Sequence, residues 1–180
     1  MKIVIALLLA ISIYADIKQS MFNLYQNEKY TNVCNMGFDN FRTNNKDEEF
    51  ISIYAFACLN SDFIDRLAIP IALLKSSKEA RSNSAYFSVI LMQKKLLYHA
   101  LVDNYNLTSL KLPTTDYVLS KVFNLYSKLK PHDPRAFYLF EDEKDEKLTY
   151  KLYLSIENNI TKMVIEEFYD TINIKRHVYW

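Results

Sequence analysis

The spacing of apolar residues changes once along this chain, from a period near 3.6 to a period of 2, and the change falls just after Pro134. Past that point Leu148, Tyr150, Leu152, Leu154 and Ile156 alternate with Thr149, Lys151, Tyr153 and Ser155, as a strand with one buried face requires. Asn158-Asn159 supplies a tight hairpin turn, after which Met163, Val164, Ile165 and Phe168 form a further strand. Tyr169-Asp170-Thr171 turns the chain again into a last strand from Ile172 to Trp180. Phe137 to Phe140 offers a first strand, set apart by the charged turn from Glu141 to Lys147. Residues 135–180 are therefore expected to form a three- or four-stranded antiparallel β-meander packed on helices.

Ahead of Pro134 the helical period holds. From Asp16 to about Asn27, Ile17, Met21, Leu24 and Tyr25 fall at helical spacing; Tyr30, Val33, Cys34, Phe38 and Phe41 repeat the pattern, which reads as two short helices folded on each other. Asn45 and Glu48 have the spacing of a capping box that opens a third helix through Phe50, Ile51, Tyr54, Ala55 and Cys58. Asn60-Ser61-Asp62 stops it, and a fourth helix carries Phe63, Ile64, Leu67, Ile71 and Leu74, with Pro70 either bending or breaking it. Ser76 and Glu79 make a second capping box at the head of the longest helical stretch, which runs to about Tyr105 and is the expected spine of the core. A loop through Pro113 leads to a helix from about Thr115 to Leu129, ended by Pro131 and Pro134. The predicted fold class is α+β: N-terminal antiparallel helical hairpins over 16–130, then the meander, in a single mature domain of residues 16–180.

Only one glycine, Gly37, is present, and that removes whole classes of chemistry. Phosphate-cradling loops, dinucleotide-binding turns and the nucleophile elbow all place glycine where φ is positive or where backbone meets ligand. The connections must instead use Asn, Asp, Ser and Pro. A hydrophobic share of 50% is enough to bury a core against the cost of ordering the chain, so the chain folds. The formal net charge of +1 supplies no field to draw nucleic acid or an acidic membrane surface.

The first fifteen residues, with a lone lysine, an apolar run and Ala15 before Asp16, have the build of a cleaved export signal. The run is well short of the roughly 20 residues a spanning helix needs, and no later segment is long enough to span either. Usage rich in Asn, Lys, Ile and Tyr is that of an AT-rich bacterial genome, which makes the periplasm the expected destination. In an exported chain the only cysteines, Cys34 and Cys58, are expected to pair; two buried free thiols are the alternative.

His99, His132 and His177 lie on three different predicted elements and show no metal-ligand spacing, so no metal, cofactor or catalytic residue is assigned. The acidic runs Asp47-Glu48-Glu49 and Glu141-Asp142-Glu143 read as solvated turns and helix starts. The aromatic side chains, Tyr179-Trp180 among them, either fill the core or present an interface. Glu157-Asn158-Asn159-Ile160-Thr161 matches the extended acceptor sequon of bacterial N-glycosylation, with Asn159 as acceptor, and competes with the reading of Asn158-Asn159 as a turn.

Leu24-Tyr25-Gln26-Asn27-Glu28-Lys29-Tyr30-Thr31-Asn32-Val33-Cys34 resembles the inter-helix turn of tetratricopeptide-type repeats. Glu28 stands where such turns often carry glycine and Cys34 where alanine is usual, and no 34-residue period continues into the later helices. The resemblance implies a scaffold or adaptor surface for other proteins. The expected role is a noncatalytic periplasmic interaction or assembly module with protein partners, such as an accessory part of a flagellar motor or another envelope machine. The alternatives are a small periplasmic hydrolase, for which a pocket joining His99 or His132 to acids is the mark, and a glycan or peptidoglycan binder.

Overall fold

Among the described residues, helices extend to Ser127 and strands follow, as the change of period requires. The fold is α+β. The computed structural model describes residues 17–108, 110–130 and 132–180, so the proposed signal of residues 1–15 and Pro131 lie outside the described residues. The chain divides into two compact units, one ending at Ala85 and the other running from Tyr86 to Trp180.

The first unit is helical. Helix α1 spans 17–26, α2 Tyr30–Asn40 and α3 Glu48–Asn60. A 3-10 turn, Ile64–Leu67, runs into α4, Ala68–Leu73, and then into the start of α5, Lys78–Asp103. Contacts at the helix ends fix the directions. Thr31, early in α2, lies 3.4 Å from Ser61 just past α3, while Lys18 at the start of α1 pairs with Asp47 at the start of α3. Both hairpins are thus antiparallel, and the Cys34–Cys58 disulfide ties α2 to α3. Between α1 and α2 the chain reverses at Glu28, whose φ of 58° is the left-handed conformation that glycine adopts without cost. The sole glycine has another use: Gly37 is buried in α2, and a Cβ there would lie 2.5 Å from Cβ and Cγ of Tyr54. It is the clearance that lets α2 approach α3.

The helix starts differ from the sequence expectation by one or two residues. Asp47, not Asn45, caps α3, accepting from the N–H groups of Glu49 and Phe50. Glu48 does not close a capping box. It crosses to accept from the N–H groups of Lys75, Ser76 and Ser77 at 3.1, 2.6 and 2.9 Å. Ser77, not Ser76, caps α5 through the N–H of Ala80. Pro70 marks neither a bend nor a break inside a long helix, because it sits in the first turn of α4, where a missing N–H is tolerated. The Arg66 carbonyl that its N–H would have reached accepts from the Tyr54 hydroxyl at 3.4 Å.

The second unit holds the rest of α5, then α6, Val118–Ser127, and four strands: β1 Tyr138–Glu141, β2 Leu148–Glu157, β3 Ile160–Tyr169 and β4 Ile172–Tyr179. The strands form an antiparallel meander in chain order. Asn158-Asn159 and Asp170-Thr171 have positive φ at both positions, the two-residue turn whose twist suits a hairpin. Helix α6 starts later than Thr115 because Asp116 accepts from the Tyr86 hydroxyl at 2.8 Å and the Thr115 N–H is taken by the Ser120 hydroxyl at 2.7 Å. On the inner face of the sheet, Tyr138, Leu152, Ile165 and His177 lie in one buried row. Helix α5 is fastened to the sheet by Lys94, whose buried ammonium donates to the main-chain oxygen of Trp180 at 2.6 Å, and by Tyr98, which donates to the Thr161 carbonyl at 2.8 Å.

Candidate functional site

Strand register in the second unit builds an outward face that the sequence alone does not display. Leu139, Lys151, Glu166 and Arg176 form one row across the four strands, on the side opposite the buried Tyr138 row. The Tyr153, Val164 and Val178 row follows. The charges of this face are held in place. Lys151 lies 5.4 Å from the Phe137 ring centre and 5.1 Å from that of Tyr153, and Tyr153 donates to Glu166 at 3.1 Å. Glu157 accepts from Lys162 at 2.8 Å and Arg176 at 3.2 Å, which draws its carboxyl below the usual range. Lys162 in turn stands 5.0 Å from the Trp180 ring. Under this cover Val164 is wholly buried, while Leu139, Trp180 and Phe137 remain 65%, 52% and 48% exposed. The face thus combines large exposed apolar side chains with charges whose orientation is fixed by neighbouring rings and carboxylates.

The same unit contains a cavity of about 160 Å³ between the end of α5, α6 and β1, with His132 in its wall. The Nδ1 of His132 lies 2.7 Å from the Lys130 carbonyl, which can only accept, so Nδ1 carries the proton. Nε2 lies 3.1 Å from the Tyr138 hydroxyl, which donates to it when the ring is neutral. Burial, reinforced by the hydrogen bond to Tyr138, pushes the Tyr126 hydroxyl well above the ordinary tyrosine range. Asn104, Asn106 and Thr108 add amide and hydroxyl groups, and none of the described residues lining the cavity is a carboxylate.

The other histidines are elsewhere. His99 is exposed, 2.8 Å from Asp103 and stacked on Tyr105; His177 is buried on the inner sheet face, 2.8 Å from Glu167. The three are not brought together. Among the described residues no group of three His, Cys, Asp or Glu could hold a metal ion. No helix of the described residues is long and apolar enough to cross a membrane.

In each acidic run one residue departs from the solvated reading, Glu48 and Asp142, while Glu49, Glu141 and Glu143 stay exposed as expected. Hydrogen bonds from the 75–77 backbone bring the Glu48 carboxyl down to about 2. Asp142 accepts from the buried Tyr150 at 2.5 Å and pairs with Lys121 at 3.3 Å. Burial alone would raise its carboxyl, but the Tyr150, Lys144 and Lys121 bonds outweigh that and set it at about 2. Asn159 is exposed at the tip of the β2–β3 hairpin, with φ of 59°. Sequence reading missed the Glu157–Lys162–Arg176 set and the Asp142–Tyr150–Lys121 cluster. The two hairpin turns, counted outward into a register, are the signal that finds the first of these.

Comparison with known protein families, curated proteins and solved structures finds no match to this chain.

Proposed function

We propose that this chain is exported to a bacterial periplasm and acts there as a noncatalytic interaction or assembly module, with tetratricopeptide-like hairpins in its first unit. The observation that carries the reading is the outward sheet face, where Leu139, Trp180 and Phe137 stay exposed among charges already oriented by aromatic rings and carboxylates. Rigid aromatics lose little freedom when a partner covers them, and paired charges keep the face from recruiting partners indiscriminately. The Cys34–Cys58 disulfide supports the export half of the reading, since such bonds persist in oxidising compartments. A part in a flagellar motor or another envelope machine suits this class of module, by analogy of role alone.

The test is photocrosslinking in living cells, with a photoreactive residue placed at Leu139, at Trp180 and, as a control on α5, at the half-exposed Met92. The same partner captured from 139 and 180 but not from 92 is the expected result. Identical capture from all three positions, or none from 139 and 180, overturns it. A second reading, a binder of a small polar ligand such as the end of a glycan, is favoured by the His132 cavity with its tyrosines and amides.

A further inference from the structure

We infer that Asn159 is a glycan acceptor, modified on its carboxamide nitrogen before the β2–β3 hairpin closes; this rests on the proposed export of the chain. The segment Asn159-Ile160-Thr161 carries the acceptor sequon, with Glu157 at the position two before the asparagine that bacterial oligosaccharyl transferases read. Asn159 lies at the exposed tip of the hairpin, and neither its carboxamide nor the Thr161 hydroxyl has a hydrogen-bond partner among the described residues. A glycan there displaces no side-chain contact of the fold.

The second sequon in the chain, Asn106-Leu107-Thr108, provides an internal contrast. Its asparagine Oδ1 already accepts from the N–H and hydroxyl of Thr108 at 2.9 and 2.6 Å, Leu107 is buried, and the residue two before it is Asn104 instead of an acid. Before folding, the acid at 157 distinguishes Asn159 as acceptor; after folding, its exposed, unbonded carboxamide leaves room for the glycan, which the site at Asn106 does not.

The folded hairpin also dictates when the reaction occurs. Glu157 and Ile160 are ladder partners across the turn, Glu157 is held by Lys162 and Arg176, and the Thr161 carbonyl is held by Tyr98. A transferase that reads residues 157–161 as one segment finds it doubled back and tied down once folding is complete. The co-substrate is a polyprenyl-diphosphate-linked oligosaccharide. The Asn159 nitrogen forms a bond to the anomeric carbon, the bond from that carbon to the diphosphate oxygen breaks, and the amide proton leaves as the lipid diphosphate departs.

The experiment is peptide mapping by mass spectrometry of full-length protein purified from its own cells, following the tryptic peptide 152–162 and the N-terminal peptide together. A sugar mass increment on peptide 152–162 is expected, lost in both Asn159→Gln and Glu157→Gln, with an N-terminus at Asp16. An N-terminus at Asp16 with peptide 152–162 unmodified, or with sugar on Asn106 instead, overturns the inference and leaves export standing. An N-terminus at Met1 overturns export and the inference with it. The timing is read with purified transferase and lipid-linked donor: a synthetic 152–162 peptide is modified while the folded protein is not, and equal modification of both refutes modification before closure.

Discussion

Gly37→Ala adds a single methyl group where α2 meets α3, and its effect can be worked from the geometry. The new Cβ would lie 2.5 Å from Cβ and Cγ of the fully buried Tyr54, against 3.4–4 Å for ordinary contact, so the pair must separate by about 1 Å. The Cys34–Cys58 bond, one turn away on the same helix pair, resists that separation. The Tyr54 ring cannot easily swing aside either, since its hydroxyl is bonded to the Arg66 carbonyl. Overpacking of this kind costs about 1–3 kcal/mol, while replacing glycine by alanine inside a helix returns about 1 kcal/mol. The net expectation is a loss of up to about 2 kcal/mol, read as a lower urea midpoint in far-ultraviolet ellipticity with an unchanged slope. In a Tyr54→Ala background the clash partner is gone, so the same substitution should become neutral or stabilising by up to about 1 kcal/mol. An alanine at 37 that stabilises the otherwise unaltered protein would refute the reasoning, because helix propensity would then outweigh the close approach.

Three further outcomes follow from the same contacts. Replacing both Cys34 and Cys58 by alanine should cost about 3 kcal/mol of stability for a bridge closing 24 residues of chain, and nonreducing peptide maps of the unaltered protein should show the linked pair. Asp142→Asn should cost about 1.5–3 kcal/mol in chemical denaturation, because the buried Tyr150 hydroxyl and the Lys121 ammonium both lose a charged partner. The Glu48 and Asp142 carboxyls, both lowered to about 2 from ordinary values of 4.5 and 3.8, are pH-sensitive in one direction. The stability they contribute is full above those ordinary values and is lost as pH falls toward 2, so Glu48→Gln should flatten acid unfolding in that window; an unchanged acid limb argues against the 75–77 contact.

The strands were readable because alternation with period 2 and paired turn residues are local signals. Leu148–Glu157 lies within a residue of the span that alternation suggests, and Ile160–Tyr169 begins directly after the Asn158-Asn159 turn, three residues before the apolar run at Met163 that marked it. The helix starts were less so. Asn45, Asp47, Ser76 and Ser77 are all competent caps, and the choice among them depends on Glu48 reaching the backbone of residues 75–77, distant in sequence. Asp142 and Glu48 were missed within their acidic runs for a related reason: charge in sequence looks the same whether it faces water or is held by the fold. Composition cannot tell Asp142, bonded to Tyr150, from Glu143, which pairs with Lys128 at the surface.

The sequence by itself determined the α+β class, the order of elements and the positions of the strand turns, because each depends on residues close in the chain; it left Cys34 and Cys58 either paired or free, and the structure joins them. Tertiary structure alone decided why the single glycine is at 37, which carboxylates are structural, and that Leu139, Lys151, Glu166 and Arg176 share an exposed row. Those properties depend on distances between residues far apart in sequence, and a one-dimensional pattern holds no record of such distances until strand register and helix contacts have been set.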